Sequence, residues 1–194
     1  VLLTRDSKDG LEVLMVTRHH KIDFAHGALV FPGGKLDIQD SDPDLLELCA
    51  DQNRNVDDLA IRICGIRETF EEAGILLARD ATNGEMITGQ RCAELDIVYR
   101  ELLHAGSVTL LDIVKKENIE LACDKLTLFA RWITPNFFSR RFDAFFFVAQ
   151  TPFDHIASHD NVESVNSFWT TPSHALKEAD EGRATIVFAT RMNL

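Results

Sequence analysis

The chain has 194 residues, 45% hydrophobic and 26% charged. That is length and apolar content enough for one domain with a real core, and it excludes a disordered polar segment. The formal net charge of −11 excludes a general binder of nucleic acid or anionic membrane, because such surfaces need a positive field to gather phosphates. A phosphorylated substrate must instead be met by a metal ion or a few placed Arg and Lys.

In chain order, 1–4 and 11–18 read as a strand pair across the turn "DSKDG", and "GALVFPGG" (27–34) runs a short strand into a Pro-Gly-Gly loop. Residues 38–56 are acidic and polar, with Asp42 and Pro43 placed to start one short helix, and read as a surface insertion. A longer helix starts after Asn55, a good N-cap, with Asp57 and Asp58 in its first turn. Its apolar stripe is Leu59, Ile63, Ile66, Phe70 and Ala73, and it ends at Gly74. A strand near 76–78 follows, then two helical segments over 89–117. Strand patterns return at 126–134, 143–150 and 162–169, followed by a helix at 173–182 and a helical tail at 185–194. Neither a linker nor a repeat divides residues 1–194, so the expectation is a single domain.

No apolar run approaches the ~20 residues that cross a bilayer, and the opening segment is broken by charges as no secretory signal is. Cys49, Cys64, Cys92 and Cys123 lack C-x-x-C pairing and His partners at zinc spacing, so they read as free thiols in a reducing compartment. The expected location is the cytoplasm or an organelle lumen such as the peroxisome.

"RETFEEAGI" (67–75) crowds Glu68, Glu71 and Glu72 on the side of the helix opposite its apolar stripe. Like charges three and four apart repel by ~0.2–0.5 kcal/mol per pair, and Glu71 and Glu72 lie at the helix end that disfavours anions. A solvated acidic face is the plain reading of such a run; a hard cation, Mg²⁺ or Mn²⁺, is the one that removes both penalties. Arg67, four residues before Glu71, is placed to pair with it. The glycines of "FPGG" allow close backbone approach, so their carbonyls can join a coordination shell.

"GGKLDIQD" followed by "RETFEEAGI" resembles the Nudix box of the Nudix hydrolases. Arg67, Glu68, Thr69, Glu71, Glu72, Gly74 and Ile75 match its second half throughout. Asp40 stands where the box has Glu, and Arg67 follows Gly34 by 33 positions rather than 14, an interruption of 19 residues. "FAHGALVFPGGKLD", "ICGIRETFEEAGILL", "WITPNFFSRRFDAFFFVA" and "ATRMNL" extend the resemblance to the RP2-like branch of acyl-CoA diphosphatases; Asp23 departs from the Arg expected in the short motif of other CoA-cleaving members.

The resemblance implies an α/β fold, the Nudix α/β/α sandwich with a mixed sheet, carrying insertions at about 38–56 and 89–117. It implies hydrolysis of CoA or acyl-CoA to 3′,5′-ADP and a phosphopantetheine product. Another nucleoside diphosphate derivative, such as ADP-ribose or a dinucleotide, and a binding-only Nudix domain remain as alternatives. Implied metal ligands are Glu68, Glu71, Glu72 and the carbonyl of Gly33 or Gly34. Arg67 joins the three glutamates in the catalytic set. Glu71, Glu72 or Glu163 is the candidate base, although Glu163 reads slightly better as an exposed strand-edge charge. Arg18, Arg140 and Arg141 are candidates to hold phosphates, the last two for the 3′-phosphate of CoA.

Overall fold

The computed structural model describes residues 1–18, 27–50, 55–138, 141–151 and 164–194. Val13, Leu14, Met15 and Val16 are four consecutive apolar residues, each at most 4% exposed, and a strand buried on both faces needs a layer on each side. They lie in β2 (Gly10–Arg18), to which β1 (Leu2–Ser7), β3 (Ala28–Val30) and β8 (Ser164–Thr170) all pair antiparallel. β6 (Thr127–Ile133) and β7 (Asp143–Gln150) form an antiparallel pair, joined to β1 by parallel pairing with β7. The two-residue β9 (Thr185–Ile186) pairs parallel with β3. The described strands thus make a mixed seven-stranded sheet in the order β6-β7-β1-β2-β3-β9, with β8 on β2. The fold is α/β, as expected.

One face of the sheet carries Leu3, Leu14 and Phe147 and is covered by the longest helix, α2 (Val56–Ala73), reached after the short α1 (Pro43–Glu47). Leu59, Ile63, Ile66, Phe70 and Ala73 are all buried against it, each large side chain contributing about 1.5–3 kcal/mol over exposure. The other face carries Leu2, Val13, Met15, Leu29 and Phe31, packed with Phe146, Ile186 and Leu194. The Asn55 side chain accepts from the Asp58 N–H at 2.8 Å, and Gly74 closes α2 in the left-handed conformation, φ 67°. Both ends match the sequence reading.

The strand expected near 76–78 is β4 (Ala78–Asp80), which leaves the main sheet to pair with β5 (Ile119–Leu121). Between these two strands lie α3 (Gly89–His104) and α4 (Leu110–Glu117), the expected helical unit. The helix after Pro172 is α5 (Pro172–Asp180). The tail, expected to be wholly helical, instead places Thr185 and Ile186 in β9 before α6 (Phe188–Met192); two residues are too few to show a strand period.

The described part of the 38–56 segment, residues 38–50 and 55–56, is not wholly surface. A 3-10 turn (Ile38–Ser41) precedes α1, Leu45 and Cys49 are at most 1% exposed in the main core, and the Ala50 N–H donates to the Leu121 carbonyl at 2.9 Å. Ser41, Asp44 and Glu47 lie on the outer side, while Asp40, Leu45 and Cys49 are buried. Shortening this segment to the uninterrupted spacing would therefore remove core, not just loop. All four cysteines are free and buried. No helix among the described residues is long and apolar enough to cross a membrane.

Candidate active site at the carboxylate helix

α2 buries two sides. Its apolar stripe faces the sheet, while Arg67, Glu68 and Glu72, between 5% and 9% exposed, face the loop that follows β3. Glycine is what lets that loop approach. A Cβ on Gly34 would lie 2.4 Å from the Glu68 carboxylate, and Gly33 donates its N–H to Glu72 Oε2 at 2.9 Å from a φ of 154°.

Arg67 organises the acidic groups. Its Nε and Nη2 grip the two oxygens of Asp40 at 2.8 and 3.0 Å, and Nη2 also reaches the Lys35 carbonyl at 3.0 Å. Nη1 lies 3.0 Å from Glu68 Oε1 and 2.9 Å from Glu71 Oε2. The expected Arg67–Glu71 pair is present, and one guanidinium nitrogen draws two of the three carboxylates together. Burial works against the charge on Arg67, but the bonds to Asp40 and the fields of Glu68 and Glu71 outweigh it and raise its pKa. Burial pushes the Glu71 carboxyl above its usual range, with Arg67 and then His104 pulling it back. Burial also drives the Cys64 thiol up to about 12, helped by Asp40, so this neighbour stays protonated.

The sequence placed Asp40 at the box glutamate position and left its role open. Asp40 is fully buried and also closes a capping box, accepting from the Asp37 N–H at 2.8 Å. The alignment of Asp40 with the box glutamate was the available signal; the longer loop hid that the side chain returns to Arg67. Arg62 was missed: it is 3% exposed, paired to Asp58 at 2.8 Å, and it donates to the carbonyls of Cys123 and Leu126.

Of the other candidates, Arg18 ends β2 with its Nε buried and, among the described residues, without a hydrogen-bond partner. Arg141 is exposed and donates from Nε to the Thr134 carbonyl at 3.1 Å. Arg140 and Glu163 lie outside the described residues, as does Asp23.

In kind, the donors fit a hard divalent cation. They are carboxylate and main-chain oxygens, and the Glu68 carboxylate occupies the space that a side chain at position 34 would fill. Among the described residues, however, no three acidic, His or Cys side chains already converge as a metal-ligand group. Glu71 is held by Arg67 and Glu72 by the Gly33 N–H, so a cation has to compete with these two contacts.

The family model of the NUDT19 Nudix domain matches residues 50–187. The acyl-coenzyme A diphosphatase NUDT19 of Xenopus laevis is 28% identical over 207 residues, which take in 86% of this chain and 54% of that protein. The human protein of the same name is 26% identical over 206 residues, with 86% and 55% covered. The chain therefore spans about half the length of these curated relatives. The crystal structure of a NUDIX hydrolase from Alicyclobacillus acidocaldarius matches with a TM-score of 0.71 at 24% identity, over 98% of this chain and 85% of that one, a likeness of fold.

Proposed function

Because the chain belongs to the Nudix hydrolases, in the family of the NUDT19 Nudix domain, we propose that it is a divalent-metal-dependent diphosphohydrolase acting on CoA or acyl-CoA. The products are 3′,5′-ADP and the corresponding phosphopantetheine. The observation that carries the reading is the convergence of Glu68 and Glu71 on Arg67 Nη1, beside a Gly33–Gly34 loop held by Glu72. The names of the Xenopus and human relatives support the choice of substrate.

In this reading Glu68, Glu71, Glu72 and a Gly33 or Gly34 carbonyl would hold Mg²⁺ or Mn²⁺, which would supply charge neutralisation of the diphosphate and acidification of a bound water. The chain's own residues do the rest. Arg67 keeps Glu68 and Glu71 on one side of the helix, and its fixed bonds to Asp40 mean that the orientation does not have to be found anew in each turnover. Glu71 or Glu72 accepts the proton of the attacking water as the oxygen adds to phosphorus and the P–O bond to the leaving phosphate breaks. Arg18 Nε, buried and without a partner among the described residues, is a candidate donor to a substrate phosphate.

The test is a panel of CoA, acyl-CoA, ADP-ribose and a dinucleotide with Mg²⁺, products identified by mass spectrometry, in the parent and in Glu72→Gln. A Gln at 72 retains an oxygen for the Gly33 N–H and loses only the charge, so turnover should nearly vanish while the fold persists. Near-normal turnover of Glu72→Gln at saturating Mg²⁺ would refute the metal role. Cleavage of ADP-ribose or the dinucleotide in preference to CoA compounds would move the substrate to the broader nucleoside diphosphate class, and no cleavage of any of them would leave the binding-only reading.

A further inference from the structure

The last turn of α2 holds Glu71 and Glu72 and no basic residue. Two carboxylates thus add to the partial negative charge of the terminal carbonyls; Arg67 meets the Glu71 side chain from within the helix, and a second cation, from another element, meets its main chain. Arg100, on α3 and only 8% exposed, donates its Nε–H to the main-chain carbonyl of Glu71 at 2.8 Å. In a longer helix that carbonyl would accept from residue 75, but Gly74 has already turned the chain away. Nη1 of Arg100 lies 3.4 Å from Asp96, one turn back on α3, which steadies the guanidinium. Two turns before Arg100, the Cys92 thiol accepts from the Leu76 N–H and donates to the Gly74 carbonyl, both at 3.3 Å. α3 therefore grips the end of the carboxylate helix at three backbone groups: the carbonyls of Glu71 and Gly74 and the N–H of Leu76.

We propose that Arg100 is a positioning residue for the site: by fixing the Glu71 main chain it sets where the Glu71 and Glu72 carboxylates project. The helical unit 89–117 is then a working part of the site and not an appendage. The inference rests on the diphosphohydrolase reading above and deepens it. A cation at a helix end stabilises any helix, so fold stability alone does not distinguish positioning from packing; the affinity of the carboxylates for a metal ion does.

The experiment compares the parent with Arg100→Gln, Arg100→Lys and Leu103→Ala, the last removing a buried side chain of α3 that is 3% exposed and lies outside the grip. Three quantities are read: the Mn²⁺ dissociation constant, from the paramagnetic resonance of free Mn²⁺; kcat and KM for CoA; and the melting temperature. Groups that orient metal ligands are typically worth 10–100-fold in affinity or activity, so Arg100→Gln should weaken Mn²⁺ binding and lower kcat by about tenfold, with KM near the parent value. Arg100→Lys, whose ammonium can still donate to the Glu71 carbonyl, should recover part of both. Leu103→Ala should lower the melting temperature and leave Mn²⁺ affinity within about twofold.

Unchanged Mn²⁺ affinity and kcat in Arg100→Gln would overturn the inference, as would an equal loss in Leu103→Ala. If Arg100→Gln fails to fold, the Lys variant and the Leu103→Ala control decide between the same outcomes. A parent chain that neither binds Mn²⁺ nor cleaves a diphosphate would overturn the functional reading beneath it, a different result from a parent that does both and is indifferent to Arg100.

Discussion

Two arginine–aspartate pairs in this molecule have nearly the same geometry and opposite settings. Arg67 meets Asp40 through Nε and Nη2 at 2.8 and 3.0 Å, and Arg131 meets Asp143 through the same atoms at 2.8 and 2.6 Å. The side chains of the first pair are 6% and 0% exposed, those of the second 50% and 46%. By distance the surface pair is the tighter. By consequence it is the weaker, because water and salt replace an exposed partner at little cost, while a buried charge that loses its partner has nothing to replace it. Burial, not bond length, decides which pair the fold depends on.

The largest effect should come from Asp40→Ala. It leaves the buried Arg67 with Glu68, Glu71 and the Lys35 carbonyl, opens the capping box at Asp37, and should cost about 3 kcal/mol or more of unfolding free energy, read by urea titration, together with most of the turnover. A small change in either would show that these remaining partners suffice to hold Arg67.

Glu71→Gln sharpens the comparison from the acidic side. Burial raises the folded pKa of this carboxyl above its unfolded value, so the folded state holds the proton more tightly. Ionisation then costs stability, a cost absent below the ordinary carboxylate range and growing as pH rises through the folded pKa. The Gln variant should therefore gain stability relative to the parent at neutral pH, and the gain should shrink on acidification, measured as the difference in melting temperature across a pH series. A gain that grows toward acid would mean that Arg67 holds the charged form more strongly than burial opposes it.

The smallest effect belongs to Asp143→Ala, whose melting temperature should stay within measurement scatter of the parent and be insensitive to added salt. A clear loss would break the comparison, since it would give the exposed pair a weight its setting does not explain.

What the sequence made legible follows the range of the interactions. α2 could be read from its own residues because cap, stripe and stop are local: Asn55, the apolar steps from Leu59 to Ala73, and Gly74. Arg67–Glu71 was legible for the same reason. Asp40, Arg62 and Arg100 act on partners far away in the chain, and neither periodicity nor spacing reports such contacts. The core role of Leu45 and Cys49 was masked by their acidic neighbours, and β9 exists only because β3 offers it an edge. The placement of the carboxylates was thus readable from the helix, and the shell that holds them was not.

The bond between Asp40 and Arg67 joins residues 27 positions apart, and this span has a kinetic meaning. α2 can nucleate from neighbouring residues, whereas the Asp40 contact requires a loop to close, at an entropic cost that rises by only ~0.6 kcal/mol for each doubling of loop length. Contacts of this kind are expected to form after the folding barrier is crossed, so weakening Asp40 should act chiefly by speeding unfolding and leave the refolding rate nearly unchanged. The lifetime of the assembled carboxylate cluster would then be set by how often one buried aspartate lets go.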